Sequence, residues 1–214
     1  MSGASHPCDD DVLVATGWMN AGEMKLDALI TSAQALTPSA YYDPMRRLEY
    51  ARDLFLRAGC YELLPPCLVL LGRTYRRALF VHAAKEAFEK AACICTEQGM
   101  DGTVLVNAHM CLGSLHQSLA YEAAEGSQSG PHWEGARHHY ETALLLMEAS
   151  GEAPSSILPV LLKLGNACLW LHLYDVSAQV FGTAVKMCAV ETGSTQYQKL
   201  AEVARTCADA LYGQ

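Results

Sequence analysis

The sequence predicts an all-α fold, an array of antiparallel helix pairs, from two observations. Apolar residues recur at intervals of three and four positions, whereas alternating strand patterns are absent. Glycine, proline and small polar clusters separate the periodic segments, as they do at helix ends. The predicted helices cover residues 22–36, 43–58, 62–78, 81–98, 103–124, 132–149, 156–172, 174–190 and 195–212.

An internal repeat accounts for the order of these helices. Its clearest copy lies in the segments 62–78 and 81–98, where the motif residues follow Leu71 at offsets of 1, 4, 13, 17 and 20. These positions are occupied by Gly72, Tyr75, Ala84, Phe88 and Ala91. In the preceding pair, Ala51, Phe55 and Ala58 repeat the second-helix pattern 33 residues earlier.

Two further copies follow along the chain. The third opens with Leu112, Gly113 and His116, but its second helix, with Ala136, Tyr140 and Ala143, arrives 11 residues late. We therefore expect a longer first helix or a loop at Gly126–Pro131, with Pro131 in the first turn of the next helix. The fourth copy has the original offsets and consists of Leu164, Gly165, Cys168, Ser177, Phe181 and Ala184. The final segment carries Leu200, Val203, Ala204, Cys207 and Leu211 on one side and is predicted to cap the last pair.

This combination of offsets resembles the tetratricopeptide repeat (TPR) superfamily from about residue 43 to 212. The resemblance implies a right-handed superhelix of about four helix pairs plus a C-terminal capping helix, with a concave groove lined by the first helices. We expect small residues to let paired helices approach closely, and Tyr or Phe to fill the space between one pair and the next. No copy has the usual Trp, and none ends in the usual Pro.

The resemblance also implies where a partner would bind. By repeat position, the groove would present Arg73, Arg76, Asn107, Met110, Ser114, Gln117, Lys163 and Asn166. The set holds three cations and no carboxylate, although the whole chain has a net charge of −8. We therefore expect the partner to be a protein or peptide, extended and acidic. The negative charge argues against nucleic acid and anionic lipid as partners.

Other residue clusters favour structural roles. Arg46, Arg47, Arg52 and Arg57 alternate with Asp43, Glu49 and Asp53 at spacings near one helical turn, which predicts salt bridges on a solvated face. Cys93 and Cys95 point in opposite directions on a helix and so would not chelate one metal ion. The sequence has no phosphate-binding loop, nucleophile elbow, H-E-x-x-H helix or dinucleotide fingerprint, so we expect neither an enzyme nor a cofactor or metal.

Cysteine usage and the N-terminus predict a cytoplasmic protein. The nine cysteines are odd in number and irregularly spaced. Cys67, Cys93, Cys111, Cys168 and Cys188 have apolar or small neighbours, so we expect free thiols. Residues 1–21 are acidic where a signal peptide would be basic, and are interpreted as a flexible tail before a repeat domain at 22–214. The most apolar window, 157–176, contains Pro159, Lys163 and Asp175, so a buried helix, a turn and a second helix are expected instead of a membrane span.

The function predicted from these features is that of a scaffold or adaptor that binds a partner polypeptide in the groove. One alternative is a structural subunit of a ciliary, cytoskeletal or trafficking complex, which would use its edges and convex face and would locate to the cytoskeleton or cilium. Another is a soluble adaptor of membrane-fusion machinery, since such adaptors are also stacked helical hairpins. Fold alone does not choose among these functions.

Overall fold

The computed structural model describes residues 7–32, 37–100, 102–123, 129–191 and 206. Within these ranges the chain is helical and contains no strand, which confirms the predicted all-α class. A short 3-10 helix at Pro38–Tyr41 precedes the second α-helix. The helices are α1 (Pro7–Thr31), α2 (Tyr42–Ala58), α3 (Leu64–Arg77), α4 (Val81–Gln98), α5 (Gly102–Glu122), α6 (Ser129–Ala149), α7 (Pro154–Trp170) and α8 (Tyr174–Glu191). The predicted capping helix at 195–212 lies outside the described residues, apart from residue 206.

Helix α1 starts well before the predicted helix 22–36. From Pro7 onward, the segment interpreted as a flexible tail is helical. Acidic residues and proline near a helix start are favourable, because carboxylates interact well with the positive end of the helix dipole and proline needs no hydrogen bond there. The apolar periodicity is weak in this helix: Ala15 and Leu26 are fully buried, but Leu13 is 73% exposed. The boundary at residue 21 therefore does not mark the end of a tail.

The helices form two compact units, Met1–Cys111 and Leu112–Gln214, and the division falls within α5. In the first unit, α1 packs on α2, α2 on α3, and α3 on α4. In the second, α7 packs on both α6 and α8. These contacts agree with the predicted pairing of successive helices. A single repeat domain over 22–214 stays a prediction.

A side chain lying over a glycine holds each helix pair together. A Cβ atom added at Gly72 would lie 2.5 Å from Phe88 Cε1. The equivalent distances are 2.6 Å from Gly113 to Tyr140 and 2.6 Å from Gly165 to Phe181. Real Cβ atoms do not approach so closely, so the glycine is what admits the ring. The close approach predicted for paired helices is confirmed, but each aromatic ring fills space within its own pair.

Two pairs vary this contact. In the first pair, Gly22 of α1 faces Leu48 of α2, and an added Cβ would lie 2.8 Å from Leu48 Cγ. The third pair has 21-residue helices and a second close approach, in which the His116 ring lies over Gly135. These longer helices and the longer connection between Glu122 and Ser129 together account for the late second-helix motif. Since α6 begins at Ser129, Pro131 lies in its first turn as predicted.

The small residues of the repeat are buried as the pattern requires. Ala84, Ala91, Ala136 and Ala143 are each 0% exposed. Ser177 takes the alanine position of the fourth pair and is also fully buried. Its hydroxyl donates a 2.8 Å hydrogen bond to the carbonyl of Gly165. The buried hydroxyl of Ser177 thus has a hydrogen-bond partner on the neighbouring helix α7.

Five helices end at a residue whose backbone has the left-handed conformation, with positive φ. Gly59, Gly99 and Gly151 have φ values of 66°, 58° and 68° at the ends of α2, α4 and α6. Leu79 and His172 adopt the same conformation at φ 66° and 58°, in equivalent turns inside the second and fourth pairs. The next residue's amide returns to the helix, as in the 2.8 Å bond from Phe80 N to Tyr75 O. A side chain in this region costs about 1 kcal/mol relative to glycine.

The apolar window 157–176 folds as expected. It contains most of α7, the turn at His172 and the start of α8. No helix in the described ranges combines the length and the apolar character needed to cross a bilayer.

The described cysteines are free thiols in contrasting environments. Cys67 and Cys168 are fully buried, and burial raises the pKa of these thiols to about 12 and about 11 respectively. Cys93, expected among apolar neighbours, is instead exposed, and its Sγ lies 3.2 Å from Glu97 Oε1. The difference arises because Cys93 lies on the outer face of α4. The side chain of Cys188 lies outside the described residues.

The glycine contacts predict a large effect for one added methyl group. Gly72→Ala or Gly165→Ala should each lower the free energy of unfolding by about 1–3 kcal/mol, because the ring must move. Gly182→Ala is the matched control, since nothing lies within 4 Å of its Cβ position in α8. That variant should be neutral or stabilise by up to about 1 kcal/mol. Urea denaturation checks this; equal effects at Gly72 and Gly182 would contradict it.

Thiol labelling should separate the cysteines by burial. At pH 8, iodoacetamide should alkylate Cys93 at least about a hundredfold faster than Cys67 or Cys168, which react only when the structure opens. Peptide mapping by mass spectrometry gives the rate at each residue. Labelling in urea, where all should react alike, is the control. Fast native labelling of Cys67 would show that the contact between α2 and α3 is not closed.

Candidate partner-binding site

The eight predicted groove residues are divided between the two units. Arg73 and Arg76 lie on α3, and Asn107 and Met110 on the first half of α5, all in unit 1. Ser114 and Gln117 lie on the second half of α5, and Lys163 and Asn166 on α7, all in unit 2. The set thus forms one group of four in each unit.

The group in unit 1 is not joined by contacts. Arg73, Arg76 and Met110 are half-buried, whereas Asn107 is exposed. Among the described residues, no hydrogen bond or ion pair connects Arg73 or Arg76 to another side chain. These four residues remain a predicted binding group.

The group in unit 2 forms a network around Tyr140 of α6. Lys163 Nζ donates a 2.8 Å hydrogen bond to Ser114 Oγ and lies 5.6 Å from the centre of the Tyr140 ring. The Tyr140 hydroxyl donates to Gln117 Oε1 at 2.7 Å. The ring of Tyr140 is fully buried over Gly113, so its position is fixed by helix packing. The glycine contact that closes the third pair therefore also orients the polar side chains above it.

The network belongs to two parallel rows of side chains, called ridges below, one on α5 and one on α7. On α5 the ridge is Ser114, Gln117 and Tyr121; on α7 it is Lys163, Asn166 and Trp170. In both, the spacing of three and then four residues keeps the side chains on one helix face. The ridges are tied at one end by Lys163 and Ser114, and further along by a 3.0 Å hydrogen bond from Asn166 Nδ2 to Tyr121 OH. We call these six residues the α5–α7 face.

An aromatic cluster forms one end of this face. The rings of Trp133 and Trp170 stack with centroids 5.4 Å apart and planes 3° from parallel. Tyr121 is perpendicular to both, with centroids 4.9 Å from Trp133 and 5.9 Å from Trp170. The repeat motif gives no indication of these aromatics, because Trp133 and Trp170 do not occupy the usual TPR tryptophan position. The matching three-then-four spacing on α5 and α7 is the signal that would have found Tyr121 and Trp170.

The face has a single cation and no carboxylate among its six side chains. Lys163 provides the charge, and Ser114, Gln117, Tyr121 and Asn166 provide polar groups of both kinds. This arrangement suits a ligand that brings a carboxylate and backbone carbonyls.

The salt bridges predicted for the arginine cluster on α2 are confirmed for two of its four arginines; among the described residues, Arg46 and Arg57 form no ion pair. Arg47 pairs with Asp43 at 3.1 Å and Arg52 with Asp53 at 2.8 Å. Arg47 also lies 5.4 Å from the ring of Trp18. Glu49 instead accepts a 2.7 Å hydrogen bond from the Tyr75 hydroxyl, whose pKa burial and this bond raise to about 12. These contacts connect α2 to α1 and α3.

Two other features of the described structure could bind ligands. His116 lies between His132 and His139, with ring centroids 5.7 and 5.6 Å away. Even so, no group of three His, Cys, Asp or Glu in the described ranges is arranged to hold a metal ion. In unit 1, a cavity of about 510 Å³ lies between α2, α3 and α4, with Leu56, Leu68 and Ile94 among its apolar walls and charged groups at its rim.

Removing the Tyr140 hydroxyl should weaken the network and leave the fold intact. Tyr140→Phe should lower the free energy of unfolding by about 1 kcal/mol, because it removes the hydrogen bond to Gln117. The fold should be kept, since Phe88 and Phe181 fill the same position in other pairs without a hydroxyl. Tyr174→Phe removes an exposed hydroxyl 2.6 Å from His172 and should cost no more than about 0.5 kcal/mol. Urea denaturation compares the two. An unchanged midpoint for Tyr140→Phe would show that the network adds nothing to stability.

Comparison with solved structures supports the fold. The apo form of RapI matches with a TM-score of 0.70 at 16% identity, covering 96% of this chain and 49% of RapI. This chain therefore spans about half the length of RapI. BtubC from P. vanneervenii matches with a TM-score of 0.45 at 14% identity, covering 98% and 94% of the two chains. The designed helical repeat protein DHR64 gives a TM-score of 0.32 at 16% identity, covering 95% of each chain.

Of these three structures, RapI bears on the fold, and at 16% identity it bears on nothing else. No family model matches the sequence. No curated protein shows a significant sequence match. The likeness to RapI and the repeated glycine–aromatic contacts together establish an all-helical repeat fold.

Proposed function

We propose that this chain is a non-enzymatic interaction scaffold that binds an extended, acidic polypeptide segment on the α5–α7 face. Lys163 would pair with a carboxylate of the ligand, while Asn166 and Gln117 would bond to its backbone. The observation that carries the proposal is the pair of cross-helix bonds from Lys163 to Ser114 and from Asn166 to Tyr121.

These bonds matter because they hold the side chains before a ligand arrives. A mobile lysine loses conformational freedom on binding, and that loss weakens affinity. Here the ammonium lies against the Tyr140 ring, which is itself fixed by packing. Binding therefore costs less side-chain entropy at Lys163, so a short segment with few contacts can still bind specifically.

The tetratricopeptide resemblance supports the same proposal at a finer level. The motif offsets place Ser114, Gln117, Lys163 and Asn166 on first helices of their pairs, α5 and α7, which line the groove in that superfamily. Arg73 and Arg76 occupy on α3 the repeat positions that Ser114 and Gln117 occupy on α5. Together with Asn107 and Met110, which lie earlier on α5, they are proposed as a separate binding group in unit 1. A cytoplasmic location, with cytoskeletal or ciliary association as the alternative, belongs to the same proposal.

The cavity of unit 1 favours a second candidate function, that of a structural subunit in a larger complex. Its lining comes from α3 and from α2 and α4, the second helices of their pairs, and Leu56 on its wall is 48% exposed. Exposed apolar side chains beside a cavity suit a permanent protein contact. Under this alternative, the α5–α7 face would not be the main interface.

A charge-removing variant tests the proposed scaffold. Lys163→Met keeps the aliphatic stem and should reduce the recovery of a specific partner at least about tenfold in quantitative affinity purification. Lys186→Met on α8 removes the same charge from an exposed position outside the face and should have no effect. Circular dichroism confirms that both variants are folded.

The same experiment distinguishes the alternative. If Lys163→Met retains all partners and Leu56→Glu loses them, the scaffold proposal is wrong and unit 1 provides the interface. Loss with both variants would point to two separate contacts.

A further inference from the structure

The aromatic end of the α5–α7 face is a preformed platform. Trp170 is 53% exposed and Tyr121 is 52% exposed, whereas Trp133 beneath them is only 2% exposed. Trp133 therefore acts as a buried base that fixes the Trp170 plane by stacking. Large exposed aromatics that are held rigidly are typical of the residues that dominate binding energy in protein interfaces.

The polar edges of this platform donate hydrogen bonds. Tyr121 OH accepts the bond from Asn166, which leaves its own proton to be donated. The indole N–H of Trp170 is a donor only. Among the described residues, neither proton has an acceptor within hydrogen-bond distance. A complementary ligand would offer carbonyl oxygens at an apolar surface and would not need to place N–H groups there.

Two other ligands of aromatic platforms fit poorly. A cation caged between rings needs a gap, but the parallel faces of Trp133 and Trp170 are already in contact, and Lys163 lies two helical turns away on the same ridge. A nucleic-acid base could stack on Trp170, but its phosphates would meet a chain of net charge −8. A polypeptide rich in proline presents carbonyls on an apolar ring surface and lacks N–H groups at its prolines.

The length of the ridge sets the spacing of such a ligand. Lys163 and Trp170 are seven residues apart on α7, which corresponds to about 10 Å along the helix axis. A polyproline II helix rises about 3.1 Å per residue, so about three residues span this distance. A carboxylate bound by Lys163 would thus lie about three positions from a proline bound on Trp170.

We propose that the α5–α7 face binds a proline-containing segment in the polyproline II conformation. The proline packs on Trp170 and Tyr121, whose donors bond to its flanking carbonyls, and an acidic residue about three positions away pairs with Lys163. This inference rests on the proposed scaffold function and specifies the chemistry of its partner.

Fluorescence anisotropy with short labelled peptides tests it on the full chain. The probes are Pro-Pro-Ala-Ala-Glu and the reversed Glu-Ala-Ala-Pro-Pro, each blocked at both ends, because the structure does not fix the chain direction. At least one should bind, and replacing its prolines with alanine should weaken binding at least about tenfold. Replacing its Glu with Gln should weaken binding by a similar factor.

Protein variants locate the binding. Trp170→Ala should weaken the binding of the proline peptide at least about tenfold, and Trp170→Phe should restore part of it. Trp18→Ala removes another partly exposed tryptophan, in unit 1, and should leave binding unchanged. Circular dichroism and the urea midpoint show which variants remain folded, and Trp170→Phe keeps the test valid if the alanine variant does not.

The outcomes separate the inference from the function on which it rests. Equal binding of the proline and alanine peptides overturns the proposed recognition of proline, but it is compatible with a scaffold that binds an acidic segment. Proline-dependent binding that survives in folded Trp170→Ala overturns the assigned platform. If neither proline peptide binds at a protein concentration of about 1 mM, where even weak binding is detected, the inference is also overturned. The scaffold proposal fails separately, if Lys163→Met retains every partner.

Discussion

Close contact between paired helices at glycine is the constraint on which the rest of the structure depends. The rings of Phe88, Tyr140 and Phe181 each lie where a glycine on the partner helix leaves out its side chain. The backbones of the two helices can then approach, and the flanking alanines and Ser177 are buried between them. In the third pair the same contact has an additional role. A hydroxyl on the buried ring, absent from the two phenylalanines, extends into the polar network above it and connects core packing to the surface proposed to bind a partner.

Most of the fold could be predicted from sequence because the repeat motif records this contact directly. Gly72 with Phe88, and Gly165 with Phe181, have identical spacing, and the third copy shows the same residue types with longer helices. Helix α1 was misjudged at its start because its buried residues, such as Ala15, are few and small, while its acidic start resembles a tail. Its glycine contact uses Leu48 instead of an aromatic ring, so the motif did not reveal it.

The candidate site could be predicted only in part, since its geometry depends on contacts between distant segments. Repeat position selected Ser114, Gln117, Lys163 and Asn166, but it could not show that Lys163 reaches Ser114 across 49 residues. Nor does any local pattern place Trp133 under Trp170, because that stacking follows from where α6 begins and α7 ends. Side chains that acquire partners only through tertiary packing are invisible to a motif built on helix pairing.

The left-handed residues Leu79 and His172 have a consequence for the order in which the pairs fold. Turns that end in Gly59, Gly99 or Gly151 form without backbone strain. In the turns inside the second and fourth pairs, a residue with a side chain adopts the left-handed conformation, so forming each of these turns costs free energy. Such a turn is a poor nucleus, so the ring must pack on its glycine before or as the turn closes. In those two pairs, we expect the aromatic contact to be well formed in the transition state for folding and the turn to be completed late. Hairpin closure is then a result of helix packing and not its cause.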